Sequence, residues 1–210
     1  MDCAQACAFW LDPGPPAPGD GLEGETKARL RAAYAEPHRR YHDMSHIADC
    51  LAELAAVEGL ADARRLILAY AIWWHDVIYD PSRSDNEAAS ADLARRDLAA
   101  LGETEATCAE VARLIELTTG HQVGAGDPDG ALLVSIDLAV LGRSPAAYDA
   151  YAAAIRQEYA HVPEAFFRPG RAGVLGRILE ARPLYPDPTY RARYEAQARA
   201  NLAREIAALS

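Results

Sequence analysis

The stretch LILAYAIWWHDVIY, residues 66–79, is apolar on nearly every side and then contains two adjacent polar residues, His75 and Asp76. Apolar residues spaced about 3.6 apart predict a helix over residues 62–79 that is buried all round. A carboxylate in such a helix loses its water at a cost of several kcal/mol unless it is paired or bound to a cation. The two residues are therefore either a His–Asp pair that satisfies itself near the helix end or part of a binding site.

The same pattern recurs in ALLVSIDLAVLG, residues 131–142, where Asp137 lies beside Ile136 on an apolar helical face. A carboxylate at the edge of that face, turned to solvent, is the alternative interpretation. In a third predicted helix, residues 44–58, His46 flanks the apolar face at its first turn. Three helices thus each carry a polar ligand-type side chain on their inner side.

Two imidazoles and two carboxylates form a set of nitrogen and oxygen ligands that suits a divalent cation of intermediate hardness, such as Mn, Fe, Co, Ni, Zn or Mg. Helical bundles commonly build metal sites from side chains on facing helices. The sequence therefore predicts a metal site whose ligands are His46, His75, Asp76 and Asp137.

Helical periodicity extends over most of the chain, whereas strand-type alternation is nearly absent. Asn86 and Ser144 are predicted N-caps, the latter with Pro145 at the first helical position. We expect an all-α protein with a short leading helix and a Pro- and Gly-rich loop over residues 1–24, followed by a single compact multi-helix domain over residues 25–210. Helices are predicted near residues 25–35, 44–58, 62–79, 87–101, 105–119, 131–142, 145–161, 171–182 and 189–209.

Composition and charge narrow the functional classes. The chain has 210 residues, of which 50% are hydrophobic and 25% charged, as in folded globular proteins. A formal net charge of -10 repels duplex DNA and anionic membranes, so an anionic ligand must be met by a local positive pocket. The four cysteines form no CxxC pair, and no secretory segment or apolar run of about 18 residues occurs. We expect a cytoplasmic protein with neither a membrane nor a duplex nucleic acid as partner.

The order His…His-Asp…Asp resembles the HD superfamily of metal-dependent phosphohydrolases. The blocks YAEPHRRYHDMSHI, WWHDVIYDPSRSDNEAASA, IDLAVLG and EYAHVPEAFFRPGR are similar to successive blocks of a bacterial branch described as predicted metal-dependent HD phosphohydrolases, over roughly residues 25–210. The resemblance implies a helical HD-domain bundle and places the metal ligands at the four residues named above. It implies no particular substrate.

The stretch YHDMSHIADC, residues 41–50, is similar to the YHNxxHxxDV block of cyclic-nucleotide phosphodiesterases. In that block the later histidine binds metal and the earlier one donates a proton to the leaving oxygen, which implies that His46 is a ligand and His42 a general acid. Asp43 stands where that family has Asn, and Cys50 where it has Val, so cyclic nucleotides are not favoured. A surface histidine before the helix is the alternative for His42.

Further residues are candidates for the site. Glu87 could orient a water, although a carboxylate in the first turn of a helix is also favoured by the helix dipole. Arg39 and Arg171 are candidate phosphate ligands, because guanidinium groups bind phosphate through two parallel hydrogen bonds; solvated arginines are the alternative. His121 could face the same pocket, and its alternative is a histidine stabilised by the C-terminal end of a helix.

These residues predict a metal-dependent phosphoric ester hydrolase that acts on a phosphomonoester or small nucleotide. The metal would lower the pKa of bound water from about 15.7 toward about 7, and the resulting hydroxide would attack phosphorus. His42 would protonate the leaving group, a step that contributes roughly 10²- to 10⁴-fold. Two alternatives stay open: a catalytically silent HD domain that senses a nucleotide, and a di-iron oxygenase with His121 and Glu87 as extra ligands. The sequence leaves open the metal, the number of ions, the ester, the pathway and the oligomeric state.

Overall fold

The structure, a computed structural model, describes residues 2–209, and no β-strand occurs among them. The prediction of an all-α protein is confirmed. No single helix in this part of the chain is both long and apolar enough to cross a membrane, but the bent pair Pro128–Gly142 and Pro145–Glu158 meets that criterion jointly by length and composition. The α-helices are α1 Cys3–Leu11, α2 Gly21–Ala33, α3 Met44–Ala55, α4 Asp62–Trp74, α5 Asn86–Ala100, α6 Glu105–Leu117, α7 Pro128–Asp137, α8 Pro145–Glu158, α9 Glu164–Glu180 and α10 Pro188–Leu209, with a short 3₁₀ helix at Leu138–Gly142.

The helices group into two compact units. The first unit, Met1–Ala125, contains α1 to α6, and the second, Gly126–Ser210, contains α7 to α10. Helix α1 packs against α4 and so belongs to the core of the first unit. The predicted separation of residues 1–24 does not coincide with this division, and the single domain over residues 25–210 stays a prediction.

Helix α4 forms the centre of the first unit. It packs against α1, α3, α5 and α6, and every side chain from Leu68 to Trp74 is buried. The ring of Trp10 from α1 lies 6.1 Å from that of Trp73 and 5.3 Å from that of Trp74, measured between centroids. Burial of each large apolar side chain contributes about 1.5–3 kcal/mol. The predicted helix is therefore buried all round from Leu68 to its end, and it leads directly to His75.

Several predicted boundaries are wrong; among them, α2 begins at Gly21 instead of residue 25, and α7 ends at Asp137 instead of residue 142. Helix α4 ends at Trp74 instead of residue 79, and His75 is its C-cap. Asn86 is the first residue of α5 rather than its N-cap, and its side chain instead bonds the backbone of Asp80 at 3.1 and 2.9 Å. Helix α9 begins at Glu164 rather than at residue 171 and continues through Pro169. Pro169 is the sixth residue of α9 and cannot donate to the Ala165 carbonyl, yet the helix continues beyond it. The predicted cap at Ser144 is confirmed, since its hydroxyl accepts from the Ala147 amide at 3.4 Å.

The second unit is held together around the 3₁₀ helix, against which α10 packs. The amide of Asn201 in α10 donates to the carbonyls of Leu141 and Arg143, both at 2.9 Å. A Cβ at Gly142 would lie 2.5 Å from the Tyr194 side chain, so this close approach requires glycine. The turn that follows α7, and with it Asp137 at the end of α7, is thereby fixed against α10.

Candidate metal centre

Three of the four predicted ligands lie in the first unit and converge on one point. Nε2 of His46 is 3.1 Å from Nε2 of His75. Oδ2 of Asp76 is 3.0 Å from Nε2 of His75 and 3.5 Å from Nε2 of His46. Residues that are 29 positions apart in the sequence therefore present two imidazole nitrogens and one carboxylate oxygen to the same small volume.

Different structural elements position these side chains. His46 lies in the first turn of α3, whose N-cap is Asp43; the Asp43 carboxylate accepts from the Ser45 amide at 2.8 Å. His75 and Asp76 lie at the end of α4, where the backbone leaves the helix. Both imidazoles are buried, and the side chain of Asp76 is 15% exposed. The cluster is thus largely enclosed but reachable from the side of the carboxylate.

The protonation of His75 follows from its partners. Its Nδ1 lies 2.8 Å from the carbonyl oxygen of Ile72, which can only accept, so Nδ1 carries a hydrogen. In the neutral ring, Nε2 then carries a lone pair, which faces the nitrogen of His46 and the carboxylate of Asp76. Close lone pairs on a nitrogen and a carboxylate repel each other unless a proton or a cation lies between them.

The donor set fits a divalent metal ion. Atoms 3.0 to 3.5 Å apart can share one ion at the bond lengths of about 2.0–2.2 Å that zinc makes to histidine nitrogen and carboxylate oxygen. A ligand histidine whose other ring nitrogen donates to a carbonyl, as His75 does to Ile72, is the usual outer arrangement of such sites. Nitrogen and oxygen ligands together suit ions such as Mn, Fe, Co, Ni and Zn.

The charge of Asp76 is already favoured before any cation binds. Burial alone would raise the pKa of this carboxyl, but His75 above all, and then His42 and His46, lower it well below its ordinary value. Asp76 is therefore an ionised carboxylate near neutral pH. The carboxylate itself has no proton to release when a divalent cation binds, whereas a protonated imidazole beside it would have to release its own.

His42 lies at the flank of the cluster rather than within it. Its ring stacks on that of Tyr79, with centroids 4.3 Å apart, and its centroid is 6.0 Å from that of His46. The Tyr41 ring meets it edge-on at 4.9 Å. The side chain is half-buried. The two histidines of YHDMSH are thus in different positions, since His46 shares the cluster of donor atoms and His42 borders it.

A set of hydrogen bonds that the sequence did not predict completes the end of α4. The hydroxyl of Tyr34 donates to the Trp73 carbonyl at 3.0 Å, and Nε2 of His38 lies 2.9 Å from the Tyr79 carbonyl. The guanidinium of Arg39 donates to the carbonyls of Asp76 and Val77. Backbone carbonyls at a buried helix end require such donors.

This arrangement gives Arg39 contacts that the sequence did not predict. The side chain is enclosed, and it makes four hydrogen bonds to protein acceptors. A guanidinium has five N–H donors in a fixed plane, so most of its binding capacity is used inside the protein. The structure gives Arg39 a structural role and provides no support for the predicted phosphate contact.

Cys50 is a neighbour of the cluster that the sequence did not predict. It is buried, and its Sγ lies 3.8 Å from Nδ1 of His46, one helical turn earlier on α3. The spacing of four residues on a helix is the only sequence feature that could have indicated this contact. A thiol at this position adds a soft, polarisable group beside the imidazole of His46.

Asp137 and Arg171 lie in the second unit. Asp137 is the last residue of α7 and is half-buried, and its part in the ligand set stays a prediction. The side chain of Arg171 is 9% exposed and forms an ion pair with Glu205, with Nε 2.9 Å from Oε1. It also borders an apolar cavity of about 330 Å³ with walls that include Phe166 and Val174. The ion pair neutralises Arg171 internally, so the geometry gives no support to its predicted contact with phosphate.

The remaining two candidates lie at helix ends of the first unit. Glu87 is half-buried in the first turn of α5, and the loop that leads to it is tied to Asp80 by Asn86. His121 follows α6 and has a φ of 53°, the left-handed region that non-glycine residues seldom adopt. Its amide donates to the Leu117 carbonyl at 2.9 Å, which closes the end of α6. The catalytic role of Glu87 and the substrate contact of His121 stay predictions.

Comparisons with known proteins found no relative of this chain. No protein-family model, no curated protein and no solved structure matches the chain.

Proposed function

We propose that this protein is a metal-dependent phosphoric ester hydrolase of the HD type, which acts on a phosphomonoester or a small nucleotide. The observation that carries the proposal is the convergence of His46, His75 and Asp76, whose three donor atoms lie 3.0 to 3.5 Å apart. The resemblance of the sequence blocks to HD phosphohydrolases supports the same reaction class.

The ligands have distinct roles in this proposal. When bound, a divalent cation supplies a Lewis acid for a phosphoryl oxygen and lowers the pKa of water in its coordination shell. His75 keeps Nε2 available because the Ile72 carbonyl holds the ring proton on Nδ1. Asp76 supplies negative charge that offsets that of the ion. The proposal includes Asp137 as a further ligand.

His42 is the proposed proton donor to the leaving oxygen. Its position beside the cluster, but outside the set of three donor atoms, supports a role other than metal binding. Stacking on Tyr79 fixes the plane of the ring, and the half-buried position leaves one edge open to a substrate. An imidazole can carry a proton near neutral pH, as a general acid must.

The test is an assay of protein purified without chelators, combined with metal analysis. Samples reconstituted with Mn, Co, Ni or Mg are assayed at several pH values against a broad panel of phosphate esters. We expect release of phosphate or of a nucleotide that depends on the added metal. If no ester is hydrolysed, the hydrolase proposal fails.

Two other outcomes would replace the proposal with its alternatives. A nucleotide that raises the thermal stability of the metal-loaded protein without any product would indicate a sensor. Two bound irons with an oxygen-sensitive absorption band would indicate an oxygenase.

A further inference from the structure

The guanidinium of Arg39 connects the two segments that form the candidate metal centre. It is 3% exposed and donates to the carbonyl of His42 at 3.0 Å, to that of Asp76 at 2.7 Å and to that of Val77 at 2.8 Å. Its Nε also donates to Glu36 at 3.1 Å. One side chain thus contacts the backbone of both the candidate acid and a candidate metal ligand.

The need for this contact comes from the end of α4. The carbonyls of the last helical turn and of the turn that follows have no helical partner, and here that of Asp76 is partly buried and that of Val77 is buried. A buried carbonyl without a donor costs about 1–3 kcal/mol, so a side chain must supply the hydrogens. Arg39 serves two such carbonyls, those of Asp76 and Val77.

Only arginine has the geometry for this contact. Its N–H groups point outward in one plane and can reach carbonyls from separate segments at the same time, whereas the ammonium of lysine is a point charge with three donors. The ring centroids of Tyr34 and Tyr79 lie 5.1 and 5.4 Å from the Arg39 Cζ. The two rings therefore restrict the orientation of the guanidinium plane.

The position of the metal ligand depends on this backbone. The carboxylate of Asp76 extends from the residue whose carbonyl Arg39 holds, and that carboxylate must stay within 3.5 Å of both imidazole nitrogens. The His42 ring extends from the other segment that Arg39 holds. A loose turn at residues 75–77 would change both the ligand triangle and the distance from the acid to the metal.

We propose that Arg39 is a positioning residue of the metal centre, which holds the His75–Asp76 turn against the segment that carries His42. It sets the affinity for the metal and the alignment of the acid, and it touches neither metal nor substrate. The part that concerns His42 rests on the proposed hydrolase function, whereas the part that concerns metal affinity does not.

Arg65 provides a matched control for the experiment. It belongs to the same unit and donates to the carbonyls of Leu54, Val57 and Leu60. These hydrogen bonds attach the loop between α3 and α4 to the Arg65 side chain. Arg39→Lys and Arg65→Lys each keep the charge and lose the planar set of donors. Each metal-free variant is titrated with Mn²⁺ in a calorimeter, and its Tm is recorded.

We expect Arg39→Lys to weaken Mn²⁺ binding by about 10- to 100-fold, the usual loss for a changed partner of a metal ligand, while Arg65→Lys binds as the parent does. Both should lower the Tm. With a hydrolysed ester in hand, kcat of Arg39→Lys at saturating metal should fall while KM stays near that of the parent. Unchanged Mn²⁺ affinity in Arg39→Lys, or an equal loss in Arg65→Lys, would overturn the proposal.

Two further measurements keep the inference testable if the lysine variant is unstable or the parent binds no metal. Arg39→Ala titrated in dilute guanidinium chloride should regain part of the lost affinity, because the free cation can enter the vacated site; no recovery counts against the proposal. In metal-free protein, amide hydrogen exchange at residues 75–79 should be faster in Arg39→Lys than in Arg65→Lys. Equal exchange would contradict the positioning role even if the hydrolase proposal had failed by itself.

Discussion

Two buried polar clusters in this chain differ in the balance of their hydrogen-bond donors and acceptors. In the arginine cluster of the second unit, Arg171 donates to Glu205 through two nitrogens, and the Tyr148 hydroxyl donates to the same carboxylate. In the histidine cluster of the first unit, Nε2 of His75 lies 3.0 Å from the Asp76 carboxylate and attracts it only with a proton or a metal ion between them. The arginine cluster contains a permanent cation, whereas the histidine cluster needs a proton or a metal ion between its donor atoms.

The difference teaches how to separate a structural cluster from a candidate site. Both clusters contain residues that the sequence marked as functional, and both are largely removed from water. Where donors match acceptors and charges cancel, the polar groups satisfy one another and need no ligand. Where imidazole nitrogens converge on a carboxylate, a proton or a metal ion completes the arrangement. The following predictions test this distinction.

The largest effect is expected from removal of the charge of Asp76. Asp76→Asn keeps the shape of the side chain but loses the anionic ligand, so Mn²⁺ affinity should fall by more than about 100-fold, beyond the loss typical of outer-shell changes. Metal-dependent turnover should disappear with it. Asp80→Asn, in the same loop but exposed, is the control and should titrate like the parent. Equal affinities of Asp76→Asn and parent would show that the acceptors of the histidine cluster need no cation.

Removal of His42 should lower turnover and leave the metal bound. We expect kcat of His42→Ala to fall by about 10²- to 10⁴-fold, the usual contribution of a general acid, with an unchanged metal content. His161 is exposed and stacks on Tyr159 with centroids 6.0 Å apart, so His161→Ala controls for the loss of a stacked imidazole away from the cluster. A loss of metal in His42→Ala would make His42 a ligand and enlarge the histidine cluster.

The arginine cluster should affect stability and not metal binding. Glu205→Leu leaves the nearly buried Arg171 without its carboxylate and should lower the free energy of unfolding by about 3 kcal/mol. The double variant Arg171→Met with Glu205→Leu should lose less, because apolar groups can replace an ion pair. Urea denaturation measures both, and Mn²⁺ titration should give the parental affinity in each. A lower Mn²⁺ affinity in the Glu205→Leu variant would contradict the separation of the two clusters.

The smallest effect is a change in stability at high pH. Burial, and then the hydrogen bond to Glu205, raise the pKa of Tyr148 well above its ordinary value. Since the folded pKa is the higher one, this contribution is complete below the unfolded pKa of about 10 and is lost as the pH rises above it. The free energy of unfolding should therefore decrease above about pH 10, and less steeply in Tyr148→Phe. Identical slopes would show that Tyr148 does not titrate differently in the folded chain.

Apolar periodicity predicted the elements but not how they end. The helix over residues 62–79 was expected to continue through His75 and Asp76 because Val77 and Ile78 extend the apolar pattern. The end of α4 depends on donors from Tyr34 and Arg39 to backbone carbonyls 37 to 39 positions away. Every residue has a backbone carbonyl, so the residue types in the sequence do not show which carbonyls accept these hydrogen bonds.

For the candidate site, the sequence likewise predicted some residues and not others. His46, His75 and Asp76 were found because polar ligands on apolar helices are anomalous, and the structure brings them together. Arg171 was chosen as a cation suited to phosphate, but its role depends on Glu205, 34 positions later. Whether an arginine binds a ligand or a carboxylate of its own chain depends on tertiary contacts, which periodicity does not encode.

The central claim is that the histidine cluster holds a divalent ion, and a crystal structure of the Mn²⁺-loaded protein with anomalous scattering data tests it most directly. We predict an anomalous peak within coordination distance of Nε2 of His46, Nε2 of His75 and a carboxylate oxygen of Asp76. Occupied Mn²⁺ sites elsewhere in the chain, with no peak between these three side chains, would contradict it.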